Sequence, residues 1–211
     1  MIARRVPAPN RHSERGQSLV EFAVILPLFG LFLLGMLEMG LAFNHYMTLE
    51  YASREGSRTG SSLANGGPSN CAGGVDSAGI DQQIVAAVQR ILKSPGSPIT
   101  MSAVSDIRLF RSDASGNQMG SQANLWIYTP GAGPDIDPGV GIDRLDFSQS
   151  SNGWPVCSRR YGPTPDSIGV RVRYAYRFQT PLGGIASFFS GAPATLLTMD
   201  DKTVMALNPQ S

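Results

Sequence analysis

The sequence is poor in the residues from which most catalytic and metal sites are built. Its 211 residues include two histidines, His12 and His45, and two cysteines, Cys71 and Cys157. A histidine-based triad or zinc site is therefore excluded from the chain beyond residue 45. No G-x-S-x-G elbow, P-loop or dinucleotide fingerprint is present. We expect no catalytic residues, no cofactor and no metal, and the protein is not expected to be an enzyme.

Charge is also scarce. Charged residues make up 16% of the chain and the net charge is +1, whereas a nucleic-acid-binding domain normally carries basic patches that raise the charge. Nucleic acid is therefore not an expected partner. The 24 glycines and 15 prolines suit a small loop-rich domain.

One long stretch is almost free of charge. Residues 19–43 carry only Glu21 and Glu38 as charged side chains, and these 25 residues, at about 1.5 Å rise each, can cross a hydrocarbon core of roughly 30 Å. Four arginines precede the stretch, at positions 4, 5, 11 and 15, which favours a cytoplasmic N-terminus. We expect a single-pass inner-membrane protein in contact with membrane lipid, its C-terminal domain periplasmic or extracellular.

This stretch has two other interpretations. A secretory signal peptide has an apolar region of about 7 to 15 residues followed by a small-residue site, and this run is longer, with no such site after Phe43. An uncleaved signal anchor, in which Gly16 and Glu21 are incidental, remains an alternative.

The spacing of Gly16 and Glu21 suggests a reason for an acid in a membrane helix. If a peptidase cuts between Gly16 and Gln17, the new amino group lies about one helical turn from the carboxylate of Glu21. In a bundle of parallel helices, Glu21 of one subunit can then pair with the amino terminus of a neighbour. Glycine before the bond lets the backbone approach a peptidase closely.

Several segments of the N-terminal region resemble TadE-like proteins, the pseudopilins of the tight-adherence (Flp-type) pilus system. The segments are Arg15 to Ala23, Leu26-Pro27, Gly35 to Gly40 and Tyr51 to Arg58. The related TadG-like proteins are typically larger, so the length of this chain fits the TadE-like type better. The resemblance implies that Gly16 and Gln17 flank a prepilin peptidase site and that Glu21, followed by Phe22, is the assembly acid.

The resemblance also implies a function and partners. The expected function is that of a minor pseudopilin, a structural or assembly component of a pilus or secretion apparatus. Its partners would be a prepilin peptidase, other pilus or pseudopilin subunits and the inner-membrane assembly platform. The alternative is an uncleaved membrane-anchored extracytoplasmic binding domain.

The remaining pattern predicts an α+β fold that resembles pilins in outline. We expect a basic leader over residues 1–16, a transmembrane helix and stalk over 17–60, and an extracytoplasmic domain over 61–211, with an antiparallel sheet and a covering helix. Apolar residues at helical spacing predict that helix over 81–92, with Asp81 as its N-cap. Strands are predicted at 99–104, 106–111, 125–129 and 168–178, with one or two more at 194–199 and 203–207.

Two features of the C-terminal part are left open by the sequence. A disulfide between Cys71 and Cys157 is permitted in an oxidising compartment, but the sequence cannot show that the two residues approach each other. Phe188 and Phe189 follow a Pro-Leu-Gly segment, and they are expected to be buried, with contact to the membrane surface or another subunit as the alternative.

Overall fold

The computed structural model describes residues 11–63, 71, 79–136, 144–160, 162, 164–190 and 197–207, apart from the side chains of residues 11–15, 186, 189 and 190. The helices are α1 (Arg11–Leu63), α2 (Ile80–Leu92) and α3 (Leu182–Ser190). The strands are β1 (Val104–Ser112), β2 (Gln118–Tyr128), β3 (Phe147–Asn152), β4 (Ser167–Tyr176) and β5 (Leu197–Ala206). The predicted α+β class, with a long N-terminal helix, is confirmed.

The chain divides into two compact units. One draws on residues 1–41 and 178–195, and the other on residues 42–177 and 196–211. The first contains the apolar part of α1 together with α3. The second contains the rest of α1, helix α2 and the sheet.

The sheet has five strands in the order β3-β2-β1-β4-β5, and every neighbouring pair is antiparallel. Strand β4 lies near its centre and alternates as predicted: Ile168, Val170 and Val172 are buried in the core. Arg171 and Arg173 occupy the alternate positions and are half-buried. Because the side-chain period of a strand is two, these arginines lie on the opposite face of the sheet.

The C-terminal part of α1 and helix α2 pack on the core face of the sheet. Gly56 allows the close approach: a Cβ there would lie 2.6 Å from Cγ2 of Val88 and 3.1 Å from Cγ1 of Val170. Gly60, one turn later, is similarly close to Ile168: a Cβ at Gly60 would lie 2.8 Å from Cδ1 of Ile168. A side chain at Gly56 would require the helix or its valine neighbours to move, and one at Gly60 would require the ends of the isoleucine side chains to shift.

Three serines spaced four residues apart join α1 to the edge strand β5. The hydroxyl of Ser57 donates to the carbonyl of Thr203 (2.7 Å) and that of Ser61 donates to the carbonyl of Ala206 (2.5 Å). The hydroxyl of Ser53 lies 2.9 Å from Oγ1 of Thr203. Since residues four apart share one face of a helix, the three serines form one row of polar contacts along β5.

The structure corrects several predicted strands. The strand predicted at 99–104 is wrong, because Met101–Ala103 form a single 3-10 turn and β1 begins at Val104. The strand predicted at 125–129 is the second half of β2, which starts at Gln118. Strand β3 was not predicted.

The start of α2 also differs from the prediction. The N-cap is Gly79, with φ of 60° in the left-handed region that glycine adopts readily. Asp81 lies inside the first turn, is buried, and caps nothing. The predicted helix is therefore confirmed and its predicted cap is wrong.

Asp81 is instead the centre of a buried polar cluster. Its carboxylate accepts hydrogen bonds of 2.5 Å from Nη2 of Arg159 and from Nδ2 of Asn124. The Arg159 guanidinium lies 4.5 Å from the ring centroid of Trp154, whose backbone N–H donates to Oδ1 of Asn124 at 2.8 Å. The cluster ties α2 to β2 and to the loop after β3.

A disulfide joins Cys71 to Cys157, two residues before Arg159, with their Cα atoms 5.5 Å apart. It closes a stretch of chain 86 residues long. The covalent link and the buried cluster therefore hold the same loop.

Candidate assembly site

Gly16 and Gln17 lie within α1 and both are exposed. A Cβ added at Gly16 would meet nothing within 4 Å, so the described contacts of this chain do not require glycine there. Glycine inside a helix is less favourable than alanine by roughly 0.5–1 kcal/mol. The helix is therefore easier to open locally at the Gly16–Gln17 bond than at a neighbouring residue.

Glu21 lies one turn beyond Gln17 on the same face of the helix. Its exposed carboxylate accepts a 3.0 Å hydrogen bond from Nε2 of Gln17. The adjacent Phe22 is 63% exposed. The structure thus brings the predicted residues Gly16, Gln17, Glu21 and Phe22 together on two exposed turns of α1.

The helix that follows is apolar and uncovered. No residue of α1 from Leu19 to Leu37 is buried. Its large apolar side chains are exposed instead, among them Leu19, Val24, Ile25, Leu28, Phe29 and Phe32. The helix is long and apolar enough to cross a membrane. A bilayer provides for these side chains the apolar surroundings that the described part of the chain does not supply.

Glu38, the second acid in the apolar stretch, has a quite different environment. It is 3% exposed, and its two carboxylate oxygens accept backbone N–H bonds from Gln179 (3.0 Å) and Thr180 (2.8 Å). The sequence does not predict this contact. The acid itself is the one sign of such a contact in the sequence, since an ionisable residue in a membrane helix requires a partner.

Phe188 was expected to be buried, and this is wrong. Its side chain in α3 is 84% exposed. Phe178, ahead of the helix, is 38% exposed. The side chain of Phe189 lies outside the described residues.

The described residues contain no group of three or more His, Cys, Asp and Glu placed to hold a metal ion. His45 is buried, and its ring centroid lies 5.8 Å from that of Tyr174 and 4.9 Å from that of Tyr176. The side chain of His12 falls outside the described part of the chain. His45 thus sits in an aromatic packing environment.

Residues 16–58 match the family model described as TadE-like protein. The matched region starts at Gly16 and ends within the stretch of α1 that carries Ser53, Gly56 and Ser57 against the sheet. No curated protein and no solved structure matches the chain. The match confirms the TadE-like resemblance predicted from the sequence, over about a fifth of the chain.

Proposed function

We propose that the protein is a minor pseudopilin of a tight-adherence pilus or a related secretion apparatus. A prepilin peptidase cuts it between Gly16 and Gln17, and α1 then holds it in the membrane and joins it to other subunits. The observation that carries the proposal is an exposed carboxylate, Glu21, one turn beyond the exposed Gly16–Gln17 bond, at the start of an uncovered apolar helix.

Cleavage would create the partner that Glu21 needs. By insertion scales an acid costs about 2.5 to 3.5 kcal/mol at the centre of a membrane helix, and less near its end. The amino group of a processed neighbour, beginning at Gln17, can neutralise that carboxylate. The acid also lies near the positive end of the helix dipole. Glu21 is therefore proposed as the group that sets the register between neighbouring subunits.

Charge and the disulfide support an orientation with the leader in the cytoplasm. The arginines before the helix favour a cytoplasmic leader. Cys71 and Cys157 lie on the other side of the apolar stretch and are paired, and disulfides persist in oxidising compartments such as the periplasm. Both features support a C-terminal domain outside the cytoplasm.

Mass spectrometry of the mature N-terminus tests the cleavage. Coexpression with an active prepilin peptidase should yield a chain that begins at Gln17. Gly16→Val should remain uncut. Gly30→Val is the matched control, because a Cβ at Gly30 also meets nothing within 4 Å, and it should be cut normally. An intact N-terminus in the unmodified chain would instead favour an uncleaved membrane-anchored binding domain.

The assembly role is tested separately by Glu21→Gln, which removes the charge and keeps the shape of the side chain. We expect normal cleavage and loss of pili. Glu50→Gln, which removes a half-buried acid paired with Arg54 further along α1, should leave piliation intact. Normal pili with Glu21→Gln would refute the proposed role of this carboxylate.

A further inference from the structure

Helix α3 and the residues before it form an uncharged, largely apolar segment. No charged side chain occurs from Phe178 to Ser190. Phe188 is 84% exposed, an unusual setting for a phenylalanine in water. It lies in the same compact unit as the exposed apolar side chains of α1, and large exposed apolar surfaces mark membrane or protein contacts.

The start of this segment is fixed to α1 by Glu38. The bonds from Gln179 and Thr180 use both oxygens of a carboxylate that is 3% exposed. The segment then turns into α3, where the N–H of Ile185 donates to the carbonyl of Pro181 at 3.1 Å. The position of α3 along α1 is therefore set at the level of Glu38.

That level is close to the outer end of the apolar stretch. Glu38 comes five residues before Phe43, which corresponds to about 7.5 Å along a helix. The stretch of 25 residues is longer than the roughly 20 that a bilayer core requires. A bilayer that surrounds α1 therefore places Glu38, and the segment bound to it, near the boundary between hydrocarbon and headgroups.

We propose that α3 is a second membrane contact, lying in the outer bilayer interface with Phe188 inserted among the lipids. The occupant of this surface is lipid because the surface adjoins the uncovered helix α1 in the same compact unit and carries no charge that would recognise a polar partner. In helices that lie in the membrane interface, Phe and Leu side chains insert about 5–10 Å into the boundary between headgroups and acyl chains. The proposal rests on the membrane anchor but not on cleavage or pilus assembly.

A nitroxide probe at position 188 tests the proposal. Phe188→Cys is labelled in the full chain, whose native cysteines are paired, and reconstituted at one chain per phosphatidylethanolamine–phosphatidylglycerol nanodisc. Leu28→Cys provides the reference for lipid. Tyr51→Cys, at a residue of α1 that is 58% exposed and lies beyond the apolar stretch, provides the reference for water. Accessibility to oxygen and to a water-soluble nickel chelate is then measured by power saturation.

We expect the label at 188 to be reached by oxygen and shielded from nickel, as at Leu28. A label as open to nickel as that at Tyr51 would overturn the proposal while the Leu28 reference still reports lipid. Shielding from both reagents would show a protein contact and would also overturn it. A nickel-accessible label at Leu28 would instead show that the anchor itself is wrong.

Glu38→Ala tests the attachment. Losing both hydrogen bonds should raise the mobility and nickel accessibility of the label at 188. Met39→Ala is the matched control, since this neighbour is 70% exposed, and should leave the label unchanged. An unchanged label in Glu38→Ala would overturn the role of Glu38 in positioning α3.

Discussion

Replacing Asp81 by asparagine tests what holds α2 to the rest of the C-terminal unit. The side chain of Arg159 is 0% exposed and that of Asp81 is 8% exposed. Asp81→Asn keeps the shape of the residue but leaves the guanidinium charge buried without its carboxylate. Removing one partner of a buried ion pair costs about 3–5 kcal/mol. Arg159 keeps its stacking on Trp154, worth about 0.5–2 kcal/mol. We therefore expect the free energy of unfolding to fall by about 3 kcal/mol, the lower end of this range.

Urea unfolding of the full chain in detergent micelles measures this loss. The two tryptophans of the sequence, Trp126 and Trp154, are 2% and 1% exposed, so their fluorescence reports unfolding of this unit. With an m-value of roughly 2 kcal/mol per molar, the midpoint should fall by about 1.5 M. The control is Glu50→Gln, which removes the acid from an exposed pair with Arg54 and should cost less than about 1 kcal/mol.

A shift for Asp81→Asn no larger than the control's would refute the reasoning. A double variant separates charge from packing. Asp81→Leu combined with Arg159→Met removes both charges, and such replacements are often neutral, so it should be more stable than Asp81→Asn alone. A double variant as unstable as the single one would show that lost packing, rather than an unpaired charge, causes the effect.

Two further predictions concern the same unit. Cys71→Ser opens a loop of 86 residues, for which chain entropy predicts a loss of about 4–5 kcal/mol in the free energy of unfolding, measurable in the same urea assay. Lys93→Met acts on Asp146: burial pushes the pKa of Asp146 up, but hydrogen bonds from Lys93 and the Gly131 N–H outweigh it and hold the pKa below its usual range. A carboxyl whose pKa is lower in the folded than in the unfolded protein stabilises the fold at pH values above its unfolded-state pKa, near 4, and this stabilisation is lost as the pH falls. Lys93→Met should therefore lower the free energy of unfolding by up to about 1 kcal/mol at pH 7 and by less near pH 3.

Each of these outcomes has a clear contrary result. Cys157→Ser breaks the same bridge, so a loss very different from that of Cys71→Ser would contradict the loop-closure explanation. For Lys93→Met, a difference from the unmodified protein that stays constant between pH 7 and pH 3 would show that ionisation of Asp146 plays no part. Urea midpoints at the two pH values decide the second case.

The elements predicted from the sequence are those whose periodicity reports one-sided burial. Strand β4 alternates buried valines with half-buried arginines, and α2 presents Ile84, Val85 and Val88 to the core. Strand β3 has no such pattern, because Phe147 alone among its residues is buried. It lies at a sheet edge and pairs through its backbone with β2, and backbone pairing leaves little trace in side-chain type.

Contacts between residues far apart in the sequence account for the other differences between the predicted and the observed structure. An acid near a helix start favours a capping interpretation, yet Asp81 meets Arg159, 78 residues away. Helix α3 contains Gly183 and Gly184, which weaken any local helix signal. Its attachment depends on Glu38, more than 140 positions earlier. Local propensity cannot report either pairing.

The two acids of the apolar stretch illustrate what the structure adds to the candidate site. By composition Glu21 and Glu38 are equivalent, since each is a carboxylate in a helix suited to a membrane. Glu38 is buried and both of its oxygens accept backbone hydrogen bonds within the chain, so it is poorly placed to meet another subunit. Glu21 is exposed, and the described partner of its carboxylate is a neutral amide, Gln17. An ionised carboxylate in lipid requires a compensating charge, and for Glu21 that charge must come from outside the described chain, which is our reason for proposing Glu21 as the assembly residue.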